Sequence, residues 1–174
     1  MFAFTDPERT PDLQGLATRL PPGTGLVLRT FGRAIIEAEA PRLAEIARDR
    51  GLALLIAGDP DLAVRCGASG VHWPQSRLGL AARWRRRFAL MTASAHDPSA
   101  ARRAARLCDL VFVSPAFASA SPSARRPMGP FRMAAYARRT PAPVYVLGGV
   151  NTRTAPRLRG LNLSGLAGID GIID

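Results

Sequence analysis

The stretch GASGVHWPQ, Gly67 to Gln75, sets the reading of the whole chain. A small-residue turn feeds a short apolar run, and the run ends abruptly in an imidazole, an indole and a carboxamide. Glycines in such a turn permit positive φ and close packing against a sheet. An apolar run without polar alternation is expected of a parallel strand covered on both faces. Alternation sends His72 away from Val71 and Trp73, so His72 is expected in the packing. Trp73 is expected to line the mouth of the fold, and Gln75, in the loop beyond, to reach a ligand.

The same rhythm recurs along the chain. Apolar runs fall at 2–5, 25–29, 53–57, 70–73, 89–93, 110–114, 143–147 and 168–174. Gly67–Val71 and Ala167–Ile172 echo each other as tight turns that launch a strand. Between most runs lie helical signals. EAEAPRLAEIARDRG places Leu43, Ile46 and Ala47 at three- and four-residue spacing and stops at Gly51. Further helices are expected around 59–64, after Asp97-Pro98, after Gly129, and from Asn151 to Gly160. Strand-then-helix repeated about eight times predicts an α/β fold, a compact (β/α)8 TIM barrel lacking the last helix. A doubly wound open sheet is the competing arrangement. At 174 residues the chain is short for a barrel, which typically takes ~250, and it reads as a single domain, 1–174, without a linker. An exposed seam where the last helix is missing suits a homodimer.

Composition narrows the function classes. Hydrophobic residues at 47% and charged residues at 21% describe an ordinary globular protein. No apolar run approaches the ~18 residues of a membrane span, and the first residues lack the order of a signal peptide; a cytoplasmic protein is expected. Cys66 and Cys108 lack partners at metal or redox spacing and read as structural thiols. The net charge of +11 comes from 24 basic residues that are all arginine. The absence of lysine excludes a Schiff-base mechanism. Arginine clusters at 85–87, 102–106 and 125–126 suit a solvated surface. No zinc pattern or aromatic RNA-binding motif accompanies them, so a nucleic-acid partner is the lesser reading.

Ligand sites in parallel α/β folds lie at the C-terminal ends of the strands. Those positions hold Thr5-Asp6, Arg29, Gly58-Asp59, His72-Trp73-Gln75, Ser94-His96, Ser114-Pro115, Gly148-Gly149-Asn151 and Asp174. LGGVN (147–151) pairs two glycines with a helix start, which offers bare amides to an anion. Barrels commonly bind phosphate after the seventh and eighth strands. Ser94 and His96 share a side of the fifth strand and read equally as ligand contacts or as part of a helix cap at Asp97-Pro98.

Taken together, GASGVHWPQ, TASAH, SPAF and LGGVN resemble the thiamine phosphate synthase family, which includes thiazole tautomerases. Family members carry, in order, a first strand ending in Thr-Asp and segments like VQLREK, LIINDRVDLA, GADGVHLGQED, GVSVH, GPIFPTPTKPG, AIGGI and GADGVAV. This chain offers FAFTD, LVLRTF, LLIAGDPDLA, GASGVHWPQSR, TASAH, SPAFASASPSA, VLGGV and AGIDGII. The resemblance implies thiamine biosynthesis and a transferase reaction. In it a pyrimidine pyrophosphate ionises, a thiazole phosphate nitrogen attacks, and Mg2+ with basic side chains stabilises the leaving pyrophosphate.

Carried over by position, Arg29, Gln75, Ser94 and Gly149 match the family, and Gly148 and Asn151 complete the expected phosphate-binding set. Departures cluster on charge. The residues flanking the family arginine become Val27 and Phe31, and the Asn-Asp of the third strand becomes Ala57-Gly58. The second metal carboxylate becomes Arg77, the sixth-loop lysine becomes Pro122, and the tautomerase histidine becomes Pro115. Asp174 falls where small residues complete the family's phosphate cup. The resemblance implies a phosphorylated small-molecule ligand and a transferase that uses Mg2+; the departures take away its carboxylate ligands and leave open whether the activity is kept, reduced or lost. The alternative is a non-catalytic phosphate- or thiamine-ligand-binding barrel. Asp59, His96, Arg77, Arg125 and Arg126 are additional candidates, the last two as stand-ins for the missing lysine.

Overall fold

Eight short parallel strands close on one another. The computed structural model describes residues 1–29, 32–119 and 126–169. The strands are β1 (Phe2–Phe4), β2 (Gly25–Leu28), β3 (Ala53–Ala57), β4 (Gly70–Trp73), β5 (Leu90–Ala95), β6 (Leu110–Val113), β7 (Val144–Val146) and β8 (Gly165–Gly168). Each pairs in parallel with its sequence neighbours, and β1 also pairs with β8 through Phe2–Ala167 and Ala3–Gly168, which completes the barrel. The helices are α1 (Leu13–Arg19), α2 (Arg33–Asp49), α3 (Pro60–Cys66), α4 (Ala81–Trp84), α5 (Pro98–Leu107) and α6 (Pro130–Arg139). No helix follows β8 among the described residues.

Period-two alternation divides the apolar side chains into two cores. The outward set, including Leu26, Leu54, Ile56, Val71, Met91, Val111 and Val146, packs under the helices. The inward set is small and aromatic: Phe2, Phe4, Val27, Leu55, Leu110, Phe112 and Ala167, with Tyr145 against it. Phe112 meets Phe4 edge-on at 4.9 Å and Phe2 at 5.0 Å, and Tyr145 meets Phe2 at 5.1 Å. Rings this large need empty neighbours. A Cβ on Gly25 would lie 2.1 Å from the Phe2 ring, and one on Gly165 would lie 2.3 Å from Tyr145. Glycine on one strand thus makes room for the aromatic on the next.

His72 points into this lumen, buried, with Nδ1 2.8 Å from the Thr92 hydroxyl and Nε2 2.9 Å from the Ser94 hydroxyl. Its ring stands edge-on to Phe4 at 5.2 Å. The expectation that His72 belongs to the packing holds.

Three expectations are corrected, and one helix is added. Trp73 does not line the mouth; it is fully buried in the outer core. Once His72 points inward, alternation forces Trp73 outward against the helices. The eighth strand is Gly165–Gly168 rather than 168–174. Its register is set by Tyr145–Gly165 and Phe2–Ala167 pairing, so Ala167 and Gly168 lie in the strand instead of the turn before it; 170–174 fall outside the described residues. The helix expected from Asn151 to Gly160 is only a 3-10 turn over Ala155–Leu158, because Pro156 cannot donate to a preceding helical carbonyl. The helix added is α1, which Asp12 caps by accepting from the Gly15 amide at 2.7 Å.

Two outcomes follow from the lumen. Phe112→Ala removes a buried ring that touches four others and should destabilise the barrel by about 3–5 kcal/mol in denaturant titration; a loss below ~1 kcal/mol would contradict this packing. Burial, aided by repulsion from Arg29, holds the His72 pKa down to about 3, whereas the unfolded chain takes up that proton near ~6.5. Stability should therefore fall as pH drops from about 6.5 towards 3, at up to ~1.4 kcal/mol per pH unit for this group. The stability difference between wild type and His72→Gln should narrow across that window, and pH-independent curves would contradict it.

Candidate functional site at the C-terminal rim

All the strand-end candidates that the structure describes lie at one end of the barrel, and local contacts sort them into four groups. The first surrounds Arg29, just past β2. Its backbone N–H donates to the Thr5 hydroxyl at 2.9 Å, and that hydroxyl donates to the Arg29 carbonyl at 3.1 Å. The guanidinium lies 5.6 Å from the Phe4 ring centroid and 4.0 Å from an Asp6 oxygen. Asp6 is itself buried and lies 3.5 Å from Arg9. Burial lowers the Arg29 pKa against the opposing pull of Asp6, yet an arginine so far above neutral pH stays charged. Its Nε is buried without a hydrogen-bond partner among the described residues. Ser94 sits close by through His72, which is uncharged at neutral pH; the two hydroxyls on that ring serve either tautomer.

The second group ties the β4 loop to the β5 loop. Gln75 donates from Nε2 to Asp97 at 3.1 Å and accepts from the His96 amide at 2.9 Å. Asp97 also caps α5 by accepting from the Ala100 amide at 2.7 Å, and that bond lowers its pKa first. Gln75 thus serves as a brace in this structure, with both ends of its amide engaged. His96 places Nδ1 3.1 Å from both the carbonyl and the hydroxyl of Ser114.

The third group is the glycine pair after β7. Gly148 and Gly149 adopt φ of 92° and 65°. A Cβ at Gly148 would fall 2.9 Å from Pro115, and one at Gly149 would fall 2.3 Å from the Ala118 carbonyl. Only glycine lets this turn press against the 115–118 segment. The Gly148 carbonyl accepts from the Phe117 amide at 3.0 Å, and the Gly149 carbonyl accepts from the Thr154 hydroxyl at 2.8 Å. The N–H groups of Gly148, Gly149 and Val150 have no protein acceptor among the described residues. Asn151 folds its side chain into the turn and accepts from the amides of Arg153 and Thr154.

The fourth group stands where the resemblance implies a metal. Arg77 donates from Nη1 to the Gly58 carbonyl at 2.6 Å, laying a guanidinium across the end of β3. Asp59 is the N-cap of α3 and accepts from the Leu62 amide at 2.9 Å. No cluster of three His, Cys, Asp or Glu side chains suited to an ion occurs among the described residues. Two like charges ~4 Å apart repel by roughly 4 kcal/mol at an effective dielectric of ~20, so Arg77 opposes a cation there. The described residues at the end of β3 do not fit a magnesium ion. Arg126 is exposed, and Arg125, Phe31, Pro122 and Asp174 lie outside the described residues.

Sequence reading missed Thr92 as the second hydroxyl on His72; alternation from Ser94 along β5 would have found it. It also missed Arg157, whose guanidinium lies 5.0 Å from the Phe117 ring centroid beside the glycine turn. Nothing in the local sequence announces that contact.

The family model described as thiamine monophosphate synthase matches residues 6–172. A thiamine-phosphate synthase of Chloroflexus aurantiacus is 31% identical over 144 residues, which cover 81% of this chain and 66% of that protein. The chain thus spans just under two thirds of this relative's length. Among solved structures, a thiamine phosphate pyrophosphorylase from Pyrococcus furiosus superposes with a TM-score of 0.82 at 17% identity, covering 99% of this chain and 86% of that one. The corresponding protein of Bacteroides thetaiotaomicron gives 0.62 at 16%, covering 96% and 81%; at these identities the likeness speaks to the barrel alone. With a family match running from Asp6 to Ile172, this chain belongs to the thiamine monophosphate synthase family.

Proposed function

We propose that the rim binds a phosphorylated small molecule of the thiamine-precursor class without a divalent cation. The observation that carries this reading is the exchange of charge at the end of β3. There Arg77 holds the Gly58 carbonyl where the family resemblance implies a metal carboxylate. A guanidinium offers a phosphate paired, charge-assisted hydrogen bonds in fixed geometry. Arg29 adds a second guanidinium, charged, largely desolvated, and with an Nε that has no hydrogen-bond partner among the described residues. The amides of Gly148 to Val150 supply neutral donors to the same kind of anion.

A second reading is condensation of a pyrimidine pyrophosphate with a thiazole phosphate, and the placement of Arg77 favours it too. A positive group fixed at the β3 end neutralises a departing pyrophosphate as a metal would. Neutral His72 holds the Ser94 hydroxyl in place at 2.9 Å without adding charge. Product formation separates the two readings. Thiamine phosphate made from both precursors in EDTA supports condensation, and binding without product supports the ligand-binding barrel.

Calorimetry with thiazole phosphate and with inorganic pyrophosphate should give the same affinity in EDTA and in millimolar magnesium. Arg29→Ala should weaken binding about 10- to 100-fold, the loss of one charge-assisted bond. An affinity that rises tenfold or more with magnesium would contradict the metal-free reading. Arg77→Asp should weaken pyrophosphate binding in EDTA by about tenfold or more. Unchanged affinity in that variant would remove Arg77 from the site.

A further inference from the structure

Charge is distributed very unevenly along this chain. Residues 1–61 carry seven arginines against nine acids, whereas residues 62–169 carry seventeen arginines against two, Asp97 and Asp109. Because the chain winds once around the barrel in strand order, the excess among the described residues falls on the arc from α3 round to β8, five of the eight strands. Both acids there are engaged. Asp109 takes a two-pronged bond from Arg85 and accepts from the Met91 amide. Asp97 caps α5 and holds Gln75. Among the described residues of this arc, Arg65 pairs with Glu37 and Arg85 with Asp109, and most of the other guanidiniums face solvent unneutralised.

At one place they surround a hollow. A cleft of about 200 Å³ lies between α5 and α6 on the outer helix layer, with Pro98, Ala135 and Tyr136 against it and Arg102, Arg132 and Arg139 around it. None of these three arginines has a carboxylate partner among the described residues. Tyr136 is half-buried, and its hydroxyl is held protonated, first by burial and then by the nearby Asp97 carboxylate. An aromatic face with three unpaired cations describes a binding site for an anion that carries a flat apolar body. The volume is below the ~300 Å³ at which drug-sized pockets begin, so it suits one small ring bearing one charged group rather than a polymer.

We infer that this cleft is a second ligand site, distinct from the barrel rim, for a small aromatic or heteroaromatic phosphate monoester. The ring rests against Tyr136 and Pro98, and the phosphate takes hydrogen bonds from Arg102, Arg132 and Arg139. The site does not depend on the reading of the rim, since none of the rim groups described above lines it.

Phenyl phosphate is the probe, titrated calorimetrically at low salt into the full chain, into Arg29→Ala, and into Arg102→Ala/Arg132→Ala, with thermal melts to confirm folding. Both arginines of the double variant are exposed, so its melt should match wild type. The expected result is a binding component that survives Arg29→Ala and weakens at least about tenfold in the double variant. Arg102→Glu alone should weaken it as well. Inorganic phosphate should bind that component more weakly than phenyl phosphate, because it leaves the apolar floor uncovered. An unchanged isotherm in the double variant overturns the proposal. Equal affinity for inorganic phosphate overturns the aromatic part of it. Tighter binding of a single strand of about 20 nucleotides, with a steep salt dependence lost in the double variant, overturns it in favour of a nucleic-acid surface.

Discussion

Phe112 is the side chain on which the rest of the barrel depends. It touches Phe2, Phe4, His72 and Tyr145, all at ring separations between 4.9 and 5.8 Å. A barrel of eight strands has a lumen just wide enough for side chains to fill. Short strands of three to six residues leave few inward positions to fill it with. Four aromatic rings and one imidazole meet that demand, and Gly25 and Gly165 provide the room. Edge-to-face pairs add about 0.5–1.5 kcal/mol each beyond their buried area, which suits a chain with so little lumen to pack. The same plug fixes the floor of the rim. Phe4 carries Arg29 above it, and His72 carries Ser94.

Above that floor the electrostatics differ from those the family resemblance implies. The carboxylates described at the rim are committed elsewhere, Asp6 to arginine neighbours and Asp59 and Asp97 to helix caps. What remains is guanidinium, hydroxyl, neutral imidazole and bare amide. Such a set is the basis for proposing a phosphate ligand held without a divalent cation. Family membership therefore fixes the barrel, while the ligand and the reaction rest on the proposal for the rim.

Much of the fold was legible because parallel strands announce themselves. Seven of the eight apolar runs lie on strands, displaced by a residue or two at their ends. The eighth failed because Ile169 and the residues after it look more strand-like than GLAG, whereas register follows the space beside Tyr145 and Phe2. Trp73 failed because its place at the end of a strand suggested the mouth, whereas alternation turns it outward, and its Nε1 is buried without a hydrogen-bond partner among the described residues. At the rim, sequence order located Arg29, Ser94 and the glycine pair. It gave no means of seeing that Gln75 spans to Asp97, or that Arg77 reaches back nineteen residues to Gly58. Those contacts join separate loops, and only the closed ring brings the loops together.

The most direct test is a crystal structure of the protein grown with thiazole phosphate in millimolar magnesium. The account predicts phosphate density held by the Arg29 guanidinium or the amides of Gly148 to Val150, with no metal ion at the ~2.1 Å that magnesium requires. A magnesium ion bridging the phosphate to Asp6 or Asp59 would contradict it.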